Sequence, residues 1–149
     1  MIALTDQPFD PGAALNDFCS GRTDTGAVAS FVGIARRGDG GGLELEAYPG
    51  FTEAEIGAIA NGARERFGLR DVAVVHRTGR IAPGEAIVLV LTAAAHRREA
   101  FEACDYLMDY LKSRAPFWKK SHEAGQARWI EPTARDHADV ARWESEEPR

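Results

Sequence analysis

The sequence contains few of the residues that would indicate a disulfide framework, a metal site or a membrane span. Its 149 residues include two cysteines, Cys19 and Cys104, and four histidines. Two cysteines without metal-ligand spacing do not suggest a disulfide framework, so we interpret both as reduced core residues of a cytoplasmic protein. No apolar run approaches the roughly 20 residues of a transmembrane helix, and the N-terminus lacks a signal-peptide pattern.

Positive charge is also in the minority, because 18 Lys and Arg residues face 23 Asp and Glu residues, for a net charge of −5. An acidic chain of this kind is not expected to bind nucleic acid or anionic membranes broadly. The sequence also lacks a Walker loop, a dinucleotide glycine fingerprint, a nucleophile elbow and histidines with metal-ligand spacing. We therefore predict no metal ion and no cofactor.

The basic residues that are present concentrate in residues 112–122, which read KSRAPFWKKSH. This stretch has four cations and one histidine but no acid, and the two rings of Phe117 and Trp118 are expected to anchor it. Clustered ammonium groups lower one another's pKa and attract anions. The segment therefore indicates a pocket for a small anionic ligand, in which a lysine acts as acid, base or nucleophile.

Hydrophobic periodicity predicts three main helices, at residues 10–19, 52–67 and 96–115. Strands are predicted at residues 2–5, 25–35, 43–48, 72–76, 86–91 and 127–130. The glycine-rich residues 38–42 are predicted to form a mobile loop or hairpin turn, with residues 43–48 as the return strand. The order β-α-β-β-α-β-β-α-β-β, in which the strand directly after the third helix is given no bounds, mixes hairpins with helical crossovers. It predicts an α+β fold with a mixed or antiparallel sheet.

Local signals refine two of these helices. Thr52 and Glu55 have the spacing of a capping box, so the second helix is predicted to start at Thr52. The buried face of the third helix is predicted to consist of Phe101, Cys104, Met108 and Leu111.

The chain contains no linker or internal repeat, so a single domain is expected over residues 1–149. Its core is expected at about residues 9–131. The charged tail, residues 132–149, is expected to pack loosely, with Trp143 as the residue able to dock.

Two lysines at the end of the third helix are the first candidate site residues. A single lysine at such a position is usually a solvated cation that the helix dipole favours. We interpret the pair Lys112 and Lys119 as functional, because Phe117 and Trp118 should fix the backbone before Lys119. Lys120 can supply a further positive field.

Basic residues also lie at the start of the third helix and directly after the predicted strand at residues 25–35. At the helix start, His96 adds a titratable donor and Arg97 a bidentate fork for phosphate, beside backbone N–H groups that favour anions. A surface helix start with solvated cations explains these residues equally well. Arg36 and Arg37 border the glycine-rich loop, a common place for ligand contacts, although an ordinary charged hairpin explains that stretch better. Arg98 is expected to point to solvent.

The remaining histidines are not assigned to a site. His76, at a strand end beside Arg77, is interpreted as a structural residue. His122 and His137 are expected to be exposed.

Helix length constrains how these candidates can combine. Arg97 and Lys112 are 15 residues apart, which is about 22 Å along a continuous helix. A small molecule cannot easily contact both ends. A site that uses both ends must combine Lys112 of one subunit with His96 and Arg97 of another, which predicts a two-fold dimer with two equivalent pockets.

Short motifs spread in order over roughly residues 9–131 carry a resemblance to a known family. They are Gly26-Ala27, Phe31-Val32-Gly33 with Arg36, Glu46-Ala47-Tyr48, His76-Arg77-Thr78-Gly79, Pro83-Gly84-Glu85, Ala95-His96-Arg97, Ala100-Phe101, Met108-Asp109-Tyr110-Leu111-Lys112, Arg114-Ala115-Pro116-Phe117-Trp118-Lys119-Lys120 and Arg128-Trp129. With these motifs the sequence resembles the large, catalytic subunit of molybdopterin synthase, the MoaE family.

This resemblance implies a fold and a reaction. The implied fold is an α/β-hammerhead, and the implied enzyme is a sulfurtransferase that inserts two sulfurs into cyclic pyranopterin monophosphate (precursor Z) to form the dithiolene of molybdopterin. The sulfur would arrive as a thiocarboxylate on the C-terminal Gly-Gly of a small ubiquitin-like partner. A homodimer of the large subunit would form the centre of a heterotetramer.

Carried over by position, the resemblance implies that Lys112 and Lys119 are catalytic. The implied substrate-binding residues are Ile34, Ala35, Arg36, His96, Arg97, Lys112, Lys119, Lys120 and Ser121. Two other interpretations remain open: a non-catalytic adaptor that binds a ubiquitin-like tail, and a phosphate-binding enzyme that needs no partner protein. Retention of both lysines and of His96-Arg97 argues against the adaptor, which would not need a phosphate clamp.

Overall fold

The computed structural model describes residues 1–37, 42–123 and 126–145. Within these ranges the strands are β1 (Ile2–Thr5), β2 (Ala27–Ile34), β3 (Leu43–Ala47), β4 (Asp71–Arg77), β5 (Gly79–Ile81), β6 (Ala86–Ala94), β7 (Phe117–Glu123) and β8 (Gln126–Ile130). The helices are α1 (Pro11–Cys19), α2 (Phe51–Phe67), α3 (Arg97–Ser113) and α4 (Ala134–Ser145). None of the helices in the described ranges is long and apolar enough to cross a bilayer.

The strands form two four-stranded sheets. The first has the order β1-β4-β6-β2, in which β1 pairs with β4 in parallel and the other neighbours are antiparallel. The second has the order β5-β3-β7-β8 and is antiparallel throughout. The predicted α+β class with mixed and antiparallel pairing is confirmed.

The main core lies between the first sheet and the helices α2 and α3. Strands β4 and β6 are rich in β-branched residues and buried on both faces, as expected for central strands covered by helices. One face packs on α2 and α3 through fully buried residues such as Ile56, Val74, Val90 and Leu107. The other face packs on α1 through Leu15 and Phe18.

The predicted hairpin between β2 and β3 is wrong. Strand β2 pairs along its length with β6, whereas β3 lies in the second sheet between β5 and β7. The glycine-rich stretch therefore connects two sheets, and its residues 38–41 lie outside the described residues. A glycine-rich turn is a local signal, but pairing is decided by distant strands that offer a matching apolar face.

Two further strands were missed or left without bounds, and several local assignments differ. The three-residue β5 was not predicted, and β7 entered the predicted order only as a strand without bounds, in the basic segment. Helix α2 begins at Phe51 after Gly50 and has no side-chain cap, so the predicted capping box is wrong. Its predicted end at residue 67 is confirmed, and Gly68 follows with a left-handed φ of 62°.

Three burial predictions are also wrong. Phe101 is 66% exposed although Leu111 and Cys104 of the same helix are buried. Cys19 is exposed, while burial raises the pKa of the Cys104 thiol to about 11. His122 is half-buried, with Nε2 2.9 Å from Oε2 of Glu44 on the paired strand β3.

The tail is not loosely packed over residues 134–145, because it forms α4 against α3. Trp143 is 6% exposed and makes edge-to-face contacts with Phe67 and Tyr106. Its indole Nε1 donates a hydrogen bond to Asp109 (2.6 Å), and Arg142 pairs with Asp109 and Asp105. High charge on one face of the segment concealed an apolar face at helical spacing.

Trp143→Ala is expected to lower the free energy of unfolding by about 3 kcal/mol, because it empties a buried aromatic site and leaves Asp109 without its indole donor. Trp118→Ala is the matched control, because Trp118 is 50% exposed. Denaturant unfolding followed by circular dichroism measures both. Equal losses in the two variants would contradict docking of α4.

Candidate active site

A cleft of about 540 Å³ opens where the two sheets, the end of α3 and the start of α4 meet. Its walls are mainly apolar and include Phe31, Leu45, Val88 and Phe117. Charged or titratable side chains enter it from different elements and are Arg36, His76, Lys112, Lys119, Glu131 and Asp136. An apolar cleft with a few convergent polar groups is the usual form of a small-molecule site.

The two lysines reach this cleft from different elements. Lys112 lies in the last turn of α3, which ends before Pro116. Lys119 is the third residue of β7, where it lies opposite Leu45 of β3 and Ile130 of β8. The reversal between the helix and the strand therefore brings the two side chains to one cleft although seven positions separate them.

Strand alternation divides the basic residues of β7. Phe117, Lys119 and Ser121 point to one face of the second sheet, and Trp118 and Lys120 point to the other. Accordingly Phe117 and Lys119 line the cleft, and Lys120 does not. Ser121 is 6% exposed and lies outside the cleft lining.

The substrate-binding residues predicted at the end of β2 are also divided. Ile34 and Arg36 line the cleft, whereas Ala35 is 3% exposed and serves through its backbone. Its N–H donates to the carbonyl of Glu85 (2.9 Å), and its carbonyl accepts from the N–H of Gly84 (2.8 Å).

His96 and Arg97 do not join the cleft of the same chain. Both are exposed at the start of α3, and Lys112 lies in the last turn of this 17-residue helix. The helix is about 25 Å long, as its uninterrupted pattern predicts. The described chain thus brings together Ile34, Arg36, Lys112 and Lys119 and leaves His96 and Arg97 apart.

An ion pair between the buried Arg77 and the partly exposed Glu85 supports the backbone before Arg36. The guanidinium of Arg77, 2% exposed, donates to Oε2 of Glu85 (2.9 Å) and to the carbonyl of Arg80 (3.1 Å). This bond with Arg77 is the main reason that the pKa of Glu85 lies below its usual value. Because Glu85 in turn bonds the backbone of Ala35, the pair fixes the position from which Arg36 enters the cleft.

Thr52 holds the turn between α3 and β7. It is fully buried in the first turn of α2, where its hydroxyl accepts from the N–H of Tyr48 (2.8 Å) and donates to the carbonyl of Pro116 (2.9 Å). The same threonine that suggested a capping box therefore joins α2 to the residue immediately before β7. No local sequence signal indicates that partner, because it lies 64 residues away.

Sequence reasoning missed three titratable groups in the cleft, namely His76, Glu131 and Asp136. His76, interpreted as structural, lines the cleft, with its ring stacked on Phe117 at a centroid distance of 4.1 Å. Asp136 enters from the first turn of α4, where its carboxylate accepts from the N–H of Thr133 (2.8 Å). The spacing of Thr133 and Asp136 is a capping signal that could have revealed α4.

The cleft also shifts the pKa of Asp136. Burial opposes ionisation of its carboxyl, but hydrogen bonds from Thr133 and the fields of Lys112 and Lys119 outweigh burial. The pKa of Asp136 therefore lies below its usual value, which keeps a carboxylate beside the two ammonium groups. The described residues contain no cluster of three or more His, Cys, Asp or Glu side chains able to hold a metal ion.

Comparisons with known proteins match most of the chain and its fold. A family model described as MoaE protein matches residues 4–114. The molybdopterin synthase catalytic subunit of Caulobacter vibrioides is 67% identical over 148 residues, which are 98% of this chain and 99% of that protein. The chain belongs to the MoaE family.

Two solved structures have the same fold as this chain. The molybdopterin biosynthesis MoaE protein from Burkholderia ambifaria has a TM-score of 0.83 at 42% identity, over 98% of this chain and 99% of that one. A complex of subunits 1 and 2 of molybdopterin-converting factor from Helicobacter pylori contains a chain of the same fold. Its TM-score is 0.74 at 20% identity, over 87% of this chain and 89% of that one.

Thr52→Val is expected to lower the free energy of unfolding by about 2 kcal/mol, because it keeps the side-chain volume but leaves the Tyr48 N–H and the Pro116 carbonyl without their partner. Thr52→Ser is the control, since it keeps the hydroxyl and loses one methyl. Thermal and denaturant unfolding measure the difference. A serine variant less stable than the valine variant would show that packing matters here more than the hydrogen bonds.

Proposed function

We propose that this protein is the catalytic subunit of a molybdopterin synthase. It transfers two sulfurs from the thiocarboxylated C-terminus of a small ubiquitin-like partner to cyclic pyranopterin monophosphate, in the cytoplasm. The observation that carries the proposal is the convergence of Lys112, Lys119 and Arg36, from three separate elements, on one largely apolar cleft. The near full-length identity to proteins of that name supports it.

The cleft has the properties that this chemistry requires. Arg36 can pair with the phosphate of the substrate, and the apolar walls suit a flat pterin and exclude water. Lys119 orients the terminal carbonyl of the partner and stabilises the negative charge that develops as sulfur is transferred. Lys112 moves protons as the cyclic phosphate opens and water leaves.

A two-fold dimer completes the site in this proposal. Arg97 and Phe101 are four residues apart and share one face of α3, so a subunit that covers Phe101 also receives Arg97. Exposed apolar residues at the edge of the cleft lie on β2, the last strand of the first sheet, and include Phe31 and Val32. In an isologous dimer, the equivalent surface of a second copy covers these residues. His96 and Arg97 of one subunit then supplement the phosphate site of the other.

Association with a second subunit is part of the same proposal. The complex from Helicobacter pylori contains a chain of this fold assembled with another subunit. Exposed aromatic residues lie around the start of β7, namely Tyr48, Phe51 and Trp118. They offer a surface for a globular partner close to the cleft that receives its tail. An adaptor that only bound this tail would not need Arg36 and Lys112 in the cleft.

Lys119→Ala is expected to reduce sulfur transfer by at least about 100-fold, because it removes the charge that stabilises the transition state. Lys112→Ala is expected to lose a similar factor through slower proton transfer. The assay combines the chain, thiocarboxylated partner and precursor, and detects the dithiolene product by fluorescence after oxidation. Wild-type turnover in Lys119→Ala would exclude that lysine from the mechanism. Conversion of the precursor to any product without partner would favour a different phosphate-binding enzyme.

Arg97→Ala is expected mainly to raise KM for the pterin, with Arg98→Ala as its exposed neighbour control. Mixing the Lys119→Ala and Arg97→Ala proteins tests the dimer more directly. Random exchange makes half of the dimers mixed, and each mixed dimer holds one intact and one doubly altered site, so about a quarter of wild-type activity should return under substrate-limited conditions. No recovery after verified subunit exchange would show that both groups act within one chain.

A further inference from the structure

His76 is the one histidine among the described residues that lines the cleft. It is the sixth residue of β4, paired with Val88 of β6 and Leu4 of β1, and it is 8% exposed. Its ring lies nearly parallel to that of Phe117, with an interplanar angle of 22° and a centroid distance of 4.1 Å. Phe117 is two residues before Lys119 on β7, so the stack joins the histidine to the strand that presents this lysine.

The hydrogen bonds of the ring determine its tautomer. Nδ1 lies 2.9 Å from the carbonyl oxygen of Arg77, which can only accept, so Nδ1 carries the proton and donates it. In a neutral ring Nε2 is then an acceptor with a free lone pair. Nε2 has no hydrogen-bond partner within the part of the chain that the structure describes, and it is not sealed from solvent.

The surroundings keep this ring neutral. Burial is the main reason that the pKa of His76 falls to about 4, and Lys112 and Lys119 lower it further. The charged groups that enter the same cleft are Arg36 after β2, Lys112 on α3, Lys119 on β7, Glu131 after β8 and Asp136 on α4. Across physiological pH the ring therefore offers a neutral acceptor among cations and does not add a fourth positive charge.

We infer that His76 is a positioning residue whose Nε2 accepts a hydrogen bond from the ammonium group of Lys112 or Lys119 and directs that group at the reacting sulfur and pterin. An ammonium group has three donors on a flexible stem, so a fixed acceptor restricts its direction. Phe117 and the Arg77 carbonyl hold the acceptor in place from two sides. This inference rests on the proposed function of the cleft.

Two variants separate positioning from packing. His76→Phe keeps a flat ring for the stack on Phe117 but removes the acceptor, whereas His76→Gln places an amide oxygen near the position of Nε2. We expect His76→Phe to lower kcat about tenfold or more with KM for the pterin changed less than about twofold, and His76→Gln to recover most of the loss. Melting temperatures report whether each variant is folded.

Nitrogen-15 NMR of the wild-type imidazole tests the inference without any variant. We expect the proton on Nδ1 and no titration between about pH 5.5 and 8.5. The Nε2 resonance should shift in either Lys112→Ala or Lys119→Ala, which identifies the donor. A proton on Nε2, or a ring that titrates near its ordinary pKa, would overturn the inference even if His76→Phe does not fold.

The activity outcomes are equally decisive. Wild-type kcat in folded His76→Phe, or equal losses in the phenylalanine and glutamine variants, would show that the ring only fills space. Failure of the wild-type protein to make dithiolene product with partner and precursor would instead refute the proposed function, so the two failures can be distinguished.

Discussion

The abrupt reversal at residues 114–116 is the constraint on which the cleft depends. Helix α3 must stop soon after Lys112 and β7 must begin at Phe117, or Lys119 would not face the same space. Proline at position 116 is incompatible with a continuing helix. The hydroxyl of Thr52 then fixes the carbonyl of Pro116 against α2, and pairing with β3 fixes the strand that follows. The turn at Pro116, helix α2 and strand β3 together determine where Lys119 lies relative to Lys112.

Much of this arrangement could be predicted from local patterns. Apolar periodicity revealed α1, α2 and α3, and the basic segment pointed to Lys112 and Lys119 before any contact was known. The segment 117–123 was given no strand bounds, because its two apolar residues are adjacent and are followed by two lysines, so it lacks the apolar–polar alternation of a half-buried strand. The segment is a strand because it pairs with β3 and β8. Pairing of this kind cannot be detected from a short stretch of sequence.

The errors have a common physical cause. Thr52, His76 and Asp136 were each explained by a neighbour in sequence or left aside, yet each acts through groups far away in the chain. Phe101 was assigned to the core because helical spacing alone does not distinguish a buried apolar residue from an exposed one. The role of a polar residue such as Thr52, His76 or Asp136 becomes clear only when tertiary contacts show which group it bonds.

Neither cysteine of this chain lies in the cleft: Cys104 is buried in the core with a pKa of about 11, and Cys19 is exposed on α1. A buried thiol with a raised pKa, such as that of Cys104, is a poor nucleophile at neutral pH, and neither cysteine is positioned to store sulfur in the cleft as a persulfide. In the proposed reaction, if each partner brings one sulfur atom, a half-finished product must stay bound while one partner leaves and another docks. The cations that enter the cleft must then retain that intermediate.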